Sequence, residues 1–394
     1  MAAMSVPMHE QALQAAYAAL RAGNAREARD QFLGALEAGR ADAPVLLGVA
    51  HASRLLGDDA GTIAAVDRLL AAEPRNVRAL LLRADCYAAQ GDARSASAFY
   101  QRALKMAPPA AELPADLVQE LQRASAACEQ YSAQYKGWLR SRLAASGFDA
   151  ARSSPRFAQS FDLLLGEKQV FLQQPKVYYF PELPQIQFYA RDLFPWLDEL
   201  EAATDAIRAE LLAVLEEGGG FSPYVTGDPN RPRKDHMGLL NNPAWSAFYL
   251  WKNGEVVPGN AARCPATMRA LRNAPLAVVP KRSPSVLFSL LEAGAHIPPH
   301  HGLVNTRLIC HLPLVVPDGC AFRVGNDLRE WREGKAWAFD DTIEHEAWNR
   351  SAETRVILLF DIWRPELTTE ERTLIVQLFD AIDAHSGTRP HWEI

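Results

Sequence analysis

The chain has 394 residues, is 48% hydrophobic and 22% charged, and carries a net charge of −6. That is the profile of a globular protein long enough for two or three domains, without the Lys/Arg-rich run that would suit nucleic acid. No apolar stretch approaches the length of a membrane span, and the first ten residues lack the basic and apolar regions of a signal peptide.

Residues 9 to about 109 repeat with a period of 34. Gly23, Gly57 and Gly91 are in phase, as are Ala16, Ala50 and Ala84, and Leu13, Leu47 and Leu81. Leu36, Leu70 and Leu104 follow the same period, and Phe32, Val66 and Tyr100 share one large apolar slot. Pro74 and Pro108 end the second and third units. This is the length and pattern of a tetratricopeptide unit, in which two antiparallel helices cross at a small residue and turn at a glycine. A further helical pattern over about 115–145, with Leu117, Leu121, Tyr131, Tyr135, Trp138 and Leu139, is expected to cap the array. The first domain is therefore set at 9–145, followed by a linker near 147–155.

From about 156 the texture changes. One amphipathic helix is expected over about 193–217, ending at a run of three glycines. Short apolar, β-branched segments follow at 286–291, 307–316, 320–324, 335–339 and 355–363, separated by turns such as Pro317-Asp318-Gly319. They predict a β-sandwich or a double-stranded β-helix of the jelly-roll type over 156–394, closed by a helix at about 368–385. The expected fold class is thus α+β multidomain: a tetratricopeptide-like solenoid, then a jelly-roll domain.

The candidate site lies between Ser289 and Trp363. His300 and His345 sit 45 residues apart, and two histidines from different strands can hold one transition metal. In segment 307–312, Arg307, Ile309 and His311 share one face by strand alternation. Arg355 begins an otherwise apolar strand, and Ser289 interrupts another, where it must find a hydrogen bond. Arginines near a metal can hold a carboxylate co-substrate, which points to iron-dependent oxygen chemistry. A facial triad usually places a carboxylate two residues after the first histidine, where this chain has Gly302. Either Asp340, Asp341 or Glu344 supplies that group, or the metal has two protein ligands. Asp340, Asp341 and Glu346 are candidates to orient the imidazoles. The basic loop 228–236 is a candidate cover for the site.

Residues 157–366 resemble the aspartyl/asparaginyl β-hydroxylase family of 2-oxoglutarate-dependent oxygenases. The segments that carry the resemblance are Phe-Ser-Leu-Leu-Glu-Ala-Gly-Ala-His-Ile-Pro-Pro-His-His-Gly-Leu-Val-Asn-Thr-Arg-Leu, Cys-His-Leu-Pro-Leu, Trp-Arg-Glu-Gly-Lys, Phe-Asp-Asp-Thr-Ile-Glu-His-Glu-Ala-Trp-Asn and Asp-Ile-Trp-Arg-Pro-Glu-Leu. The family is known for a two-histidine iron site without the carboxylate, which agrees with Gly302. The resemblance implies Fe(II) on His300 and His345. It implies the distal carboxylate of 2-oxoglutarate on Ser289 and Arg355, and its chelating end beside His311. Arg307 would contact a co-substrate or substrate carboxylate. An arginine that animal members carry two residues after Arg307 is Ile309 here, a departure at the substrate contact.

The implied activity is hydroxylation of the β-carbon of Asp or Asn in a peptide or protein substrate, with molecular oxygen consumed. The repeats could hold that substrate. The alternatives are hydroxylation of a small molecule or lipid acyl chain, and a non-catalytic repeat scaffold with an inactive barrel. Five scattered cysteines, odd in number and without a CxxC pair, suit a reducing compartment, so a cytoplasmic setting is expected.

Overall fold

A computed structural model describes residues 5–218, 220–227 and 238–386; the basic loop 228–236 lies outside the described residues. The chain divides into two compact units, Met1–Ala158 and Gln159–Ile394.

The first unit is built of helix pairs: Ser5–Arg21 with Ala25–Glu37, Ala43–Leu55 with Asp59–Ala72, and Val77–Ala89 with Ala93–Met106. Each in-phase glycine has positive φ, +82° at Gly23, +71° at Gly57 and +77° at Gly91. That left-handed conformation ends the first helix of each pair and is open to glycine without a steric penalty. The next residue starts the second helix. Asp58 and Asp92 accept hydrogen bonds from the backbone N–H of Gly61 and Ser95, which caps the helix start. The in-phase alanines Ala16, Ala50 and Ala84 are fully buried at the crossings. Phe32, Val66 and Tyr100 fill the space between layers.

The capping segment is one helix, Ala115–Ala145. Leu117, Leu121 and Ala124 bury against the third pair, whereas Tyr135 and Trp138 are exposed. The cap expected over 115–145 is therefore supplied by the first half of the helix.

The second unit contains two antiparallel sheets. Their strands are β1 (Ser222–Pro223), β2 (Trp245–Lys252), β3 (Glu255–Val256), β4 (Val286–Leu291), β5 (His296–His300), β6 (Arg307–Val315), β7 (Cys320–Val324), β8 (Asp327–Glu330), β9 (Trp337–Phe339), β10 (His345–Asn349) and β11 (Arg355–Trp363). The larger sheet runs β1-β2-β4-β11-β6-β9, with β3 paired to β2; the smaller runs β5-β10-β7-β8.

Strand alternation sorts the residues of β6 into two cores. Leu308, Cys310, Leu312 and Leu314 pack outward against helices through Leu200, Ile207 and Leu211. Ile309 packs inward with Ile297, Phe322, Ala347 and Ile357, between the sheets. The inward face holds the cavity.

The helix expected over 193–217 is two helices, Leu197–Ala202 and Thr204–Glu216. The break at Ala203 is stabilised by the Thr204 hydroxyl, which donates to the Glu201 carbonyl at 2.7 Å, and Pro195 delays the start. Strands β2, β5 and β10 lie outside the short apolar, β-branched segments expected from the sequence. β2 is buried along most of its length but carries no Val, Ile or Thr, the β-branched residues that favour strands. β5 carries Pro298 and Pro299 and lies at a sheet edge, where proline is tolerated.

Candidate active site

The ladder of the smaller sheet sets His345 of β10 directly opposite His300 of β5. Their ring centroids lie 4.0 Å apart. His300 Nδ1 lies 2.8 Å from the Pro298 carbonyl and His345 Nδ1 lies 3.0 Å from the Ile343 carbonyl. A carbonyl can only accept, so each Nδ1 carries a proton, and a neutral ring then has its lone pair on Nε2. That is the tautomer a metal ligand requires. Burial, with His300 close by, holds the His345 imidazole well below its ordinary pKa and so neutral. The orienting groups are thus backbone carbonyls two residues upstream, in place of the carboxylates expected from the sequence. Glu346 is instead held by Arg323 at 2.5 Å and by His296 at 3.0 Å.

Of the two adjacent aspartates, Asp340 points away from the histidines. Its carboxylate accepts from Arg364, Gln173 and the Thr342 hydroxyl and N–H. This fully buried network fixes the turn that leads into His345. Asp341 lines the cavity with His300 and His345. Burial pushes its carboxyl up to about 7, against the pull of Arg307.

A Cβ on Gly302 would lie 2.0 Å from Asp341 Oδ2. The glycine at the position of the usual triad carboxylate is therefore a steric requirement: Asp341 occupies the space that a side chain there would fill. Among the described residues no group of three or more His, Cys, Asp or Glu side chains is placed to hold a metal. The donor set that fits a divalent transition metal is the pair of imidazoles of His300 and His345.

The larger sheet supplies the rest of the cavity. Ser289 of β4 pairs with Ile357 of β11, and His311 of β6 pairs with Leu359. Ser289, His311 and Arg355 all line the cavity with the histidine pair. Arg355 is 1% exposed, and among the described residues its charged group meets the Ser289 carbonyl, at 3.4 Å, and the Trp331 ring, at 5.3 Å. Among the described residues its Nε has no hydrogen-bond partner, and burial lowers its pKa to about 10. His311 is held neutral by burial and by the Arg355 charge, and its Nδ1 likewise has no partner among the described residues. A buried cation beside orphaned donors, with no carboxylate partner among the described residues, is the chemistry of an anion site.

Arg307 differs. It lines the same cavity but donates to Asp361 at 2.6 Å and to Asp341 at 3.4 Å. Its charge is compensated from within the protein.

The sequence reading missed Asp361, Trp245 and Trp331. Trp245 Nε1 donates to the Ser289 hydroxyl at 3.2 Å, which supplies the hydrogen bond that serine needed. Trp331 stacks on His311, with centroids 5.2 Å apart. A signal for Asp361 was present, because it lies six residues after Arg355 and alternation puts both on one face of β11.

Residues 201–365 match the family model described as aspartyl/asparaginyl beta-hydroxylase. The human protein named aspartyl/asparaginyl beta-hydroxylase is 35% identical over 174 residues, which cover 44% of this chain and 22% of that protein. The Rhizobium tropici protein named ornithine lipid ester-linked acyl 2-hydroxylase is 37% identical over 183 residues, 45% of this chain and 60% of that protein. Human aspartate beta-hydroxylase domain-containing protein 2 is 30% identical over 212 residues, 53% of this chain and 55% of that protein. The chain thus spans less than two thirds of each of these relatives. The matched segment carries the paired histidines, Ser289, Arg307, His311 and Arg355, and over residues 201–365 the chain is similar to the aspartyl/asparaginyl beta-hydroxylase family.

Proposed function

We propose that the C-terminal unit is an Fe(II)- and 2-oxoglutarate-dependent oxygenase that hydroxylates the β-carbon of an Asp or Asn residue in a peptide or protein substrate. The observation that carries this reading is Arg355: a fully buried guanidinium without a carboxylate partner among the described residues, in one cavity with two tautomer-fixed histidines.

His300 and His345 would hold the iron. The chemistry supplied by iron(II) with 2-oxoglutarate and molecular oxygen is oxidative decarboxylation of the co-substrate coupled to hydroxylation of an unactivated carbon. The protein's own part is to bind, orient and exclude water. Arg355 and the Ser289 hydroxyl would take the distal carboxylate of 2-oxoglutarate, compensating the buried charge. Neutral His311 would donate a hydrogen bond to the chelating end. Trp245 and Trp331 hold Ser289 and His311 in place and keep the pocket dry.

The helical repeats offer a surface of the kind that holds extended peptides. The same reading takes the cytoplasm as the compartment, supported by five cysteines outside any paired motif. A second reading, hydroxylation of a lipid acyl chain, draws support from the apolar cavity wall of Ile297, Leu303, Ile309 and Leu359 and from the name of the Rhizobium relative.

The test is succinate formation by anaerobically purified protein given Fe(II), 2-oxoglutarate and oxygen, with and without an Asp/Asn peptide library. Peptide-stimulated succinate is the expected result. Stimulation only by acyl substrates would select the second reading. No turnover and no 2-oxoglutarate binding would leave a repeat scaffold with a silent barrel.

A further inference from the structure

A second cleft opens in the C-terminal unit, with a volume of about 550 Å³, a size that suits a small molecule. It lies between β8, β9 and the segment that leads into the helix Leu197–Ala202. It shares no lining residue with the histidine cavity. A pair of packed indoles joins the two walls, with ring centroids 4.8 Å apart: Trp331 lines the first cavity and Trp337 the second.

Four cations line this cleft: Arg191, Arg329, Arg332 and Lys335. Arg191 and Lys335 share the buried carboxylate of Glu201, at 2.6 and 3.0 Å. Arg329 and Arg332 have no carboxylate partner among the described residues. Glu330 reaches the rim from the other face of β8 and pairs with neither.

Arg329 stands apart from the other arginines. Register sets it opposite Phe322, so it points inward from a border strand and lies over the Phe188 ring at 3.8 Å. Among the described arginines of this unit that are buried or half-buried, its guanidinium alone makes no hydrogen bond; the others donate to carboxylates or carbonyls. Its nitrogens still reach the cleft. A guanidinium that gives up part of its hydration without gaining an acceptor calls for one. An inward charge on a border strand also discourages pairing with another chain. That accounts for a charge at position 329, but not for a second uncompensated cation beside it on a cleft with an apolar floor. Phe194, Ala336 and Trp337 supply that floor.

We propose that this cleft binds a small anion with an apolar body, its carboxylate or phosphate head held by Arg329 and Arg332 and its body laid against Phe194, Ala336 and Trp337. A guanidinium fork matches either head group. A hydrocarbon alone would leave both arginines unanswered. The site is independent of the oxygenase reading, because none of its residues lines the histidine cavity.

The test is calorimetric titration of the full chain with phenyl phosphate, phenylacetate and inorganic phosphate. The tighter of the two aromatic probes identifies the head group. Inorganic phosphate is expected to bind roughly tenfold more weakly than phenyl phosphate, for want of apolar area to bury. Arg329→Gln is expected to weaken the aromatic probe at least about tenfold, the scale of a lost charged hydrogen bond. Arg332→Ala, at an exposed position, is expected to weaken it about threefold, and it keeps the test open if Arg329→Gln fails to fold. Arg355→Ala is expected to leave the affinity unchanged.

Binding of neither aromatic probe would overturn the inference, as would binding lost in Arg355→Ala and kept in Arg329→Gln. Equal affinity for phenyl phosphate and inorganic phosphate would reduce the cleft to a surface charge and overturn it too. An oligoglutamate peptide bound in place of the small probes would overturn it in favour of a protein partner. If Arg329→Gln bound the probe normally but self-associated, Arg329 would be a guard of the border strand and the inference would fall.

Discussion

The two units bury different things. In the repeat unit, Ser53 and Thr62 are the buried polar side chains among the described residues, and Thr62 is satisfied by backbone carbonyls. In the C-terminal unit, Arg282, Arg307, Arg355, Arg364, Asp340, Asp341, Asp361 and Asp383 are all buried. Most of these charges are matched: Arg282 with Asp383, Arg364 with Asp340, Arg307 with Asp361 and Asp341. Burying a charge is costly even when paired, so a fold that needs only a shape avoids it, as the repeats do. The buried arginine left without a carboxylate partner among the described residues, Arg355, marks where a ligand is expected. The contrast separates residues that hold a scaffold together from residues that wait for chemistry.

That contrast can be broken most sharply at the histidine pair. His345→Ala is expected to abolish metal binding and 2-oxoglutarate turnover with the circular dichroism spectrum unchanged; normal turnover would remove His345 from the site. Arg355→Ala should weaken 2-oxoglutarate by about 2–5 kcal/mol, as loss of one partner of a buried charged contact does. An unchanged 2-oxoglutarate requirement would refute its clamp role.

The same substitution at two glycines then compares the units directly. In Gly302→Ala the new Cβ must displace the Asp341 carboxylate, which it would otherwise meet at 2.0 Å. Turnover is expected to fall roughly 100-fold, the scale of a displaced active-site group, with little change in melting temperature. In Gly48→Ala the new Cβ meets the Phe32 ring at 2.4 Å. A loss of about 1–3 kcal/mol in stability is expected from this overpacking, with basal 2-oxoglutarate turnover retained. If both variants lost stability and kept turnover, the distinction between the units would fail.

At the small end, Arg78→Ala removes exposed contacts to Asp116 and Glu120 at the cap. Chemical denaturation should register less than about 1 kcal/mol; a larger loss would make the cap a central support of the array.

The repeats were legible because their information is local and periodic. One glycine, one alanine and one large apolar slot recur in phase, and the structure uses each at the place that its size requires. In the C-terminal unit, short apolar runs between turn signals marked β4, β6, β7, β9 and β11, and missed β2, whose run Trp245–Lys252 holds no Val, Ile or Thr. They also missed β5, whose prolines read as a loop. The site was legible where a polar residue interrupts an apolar strand, as at Ser289, His311 and Arg355. Partnership was not legible. Nothing in the order of residues says that Asp361 meets Arg307 across a ladder, that Asp340 turns to Arg364 while Asp341 turns inward, or that backbone carbonyls orient both imidazoles. Those facts depend on register and on the third dimension.

His300 belongs to β5, a border strand of the smaller sheet, hydrogen-bonded along one side to β10. Border strands are the first to peel, and their amides exchange with solvent through local opening. An ion bridging His300 and His345 would add a second tether across the same two strands and raise the free energy of that opening by mass action. Deuterium uptake at the amides of β5 would then report occupancy of the centre directly, slow when it is filled and fast when it is stripped, without any substrate in hand.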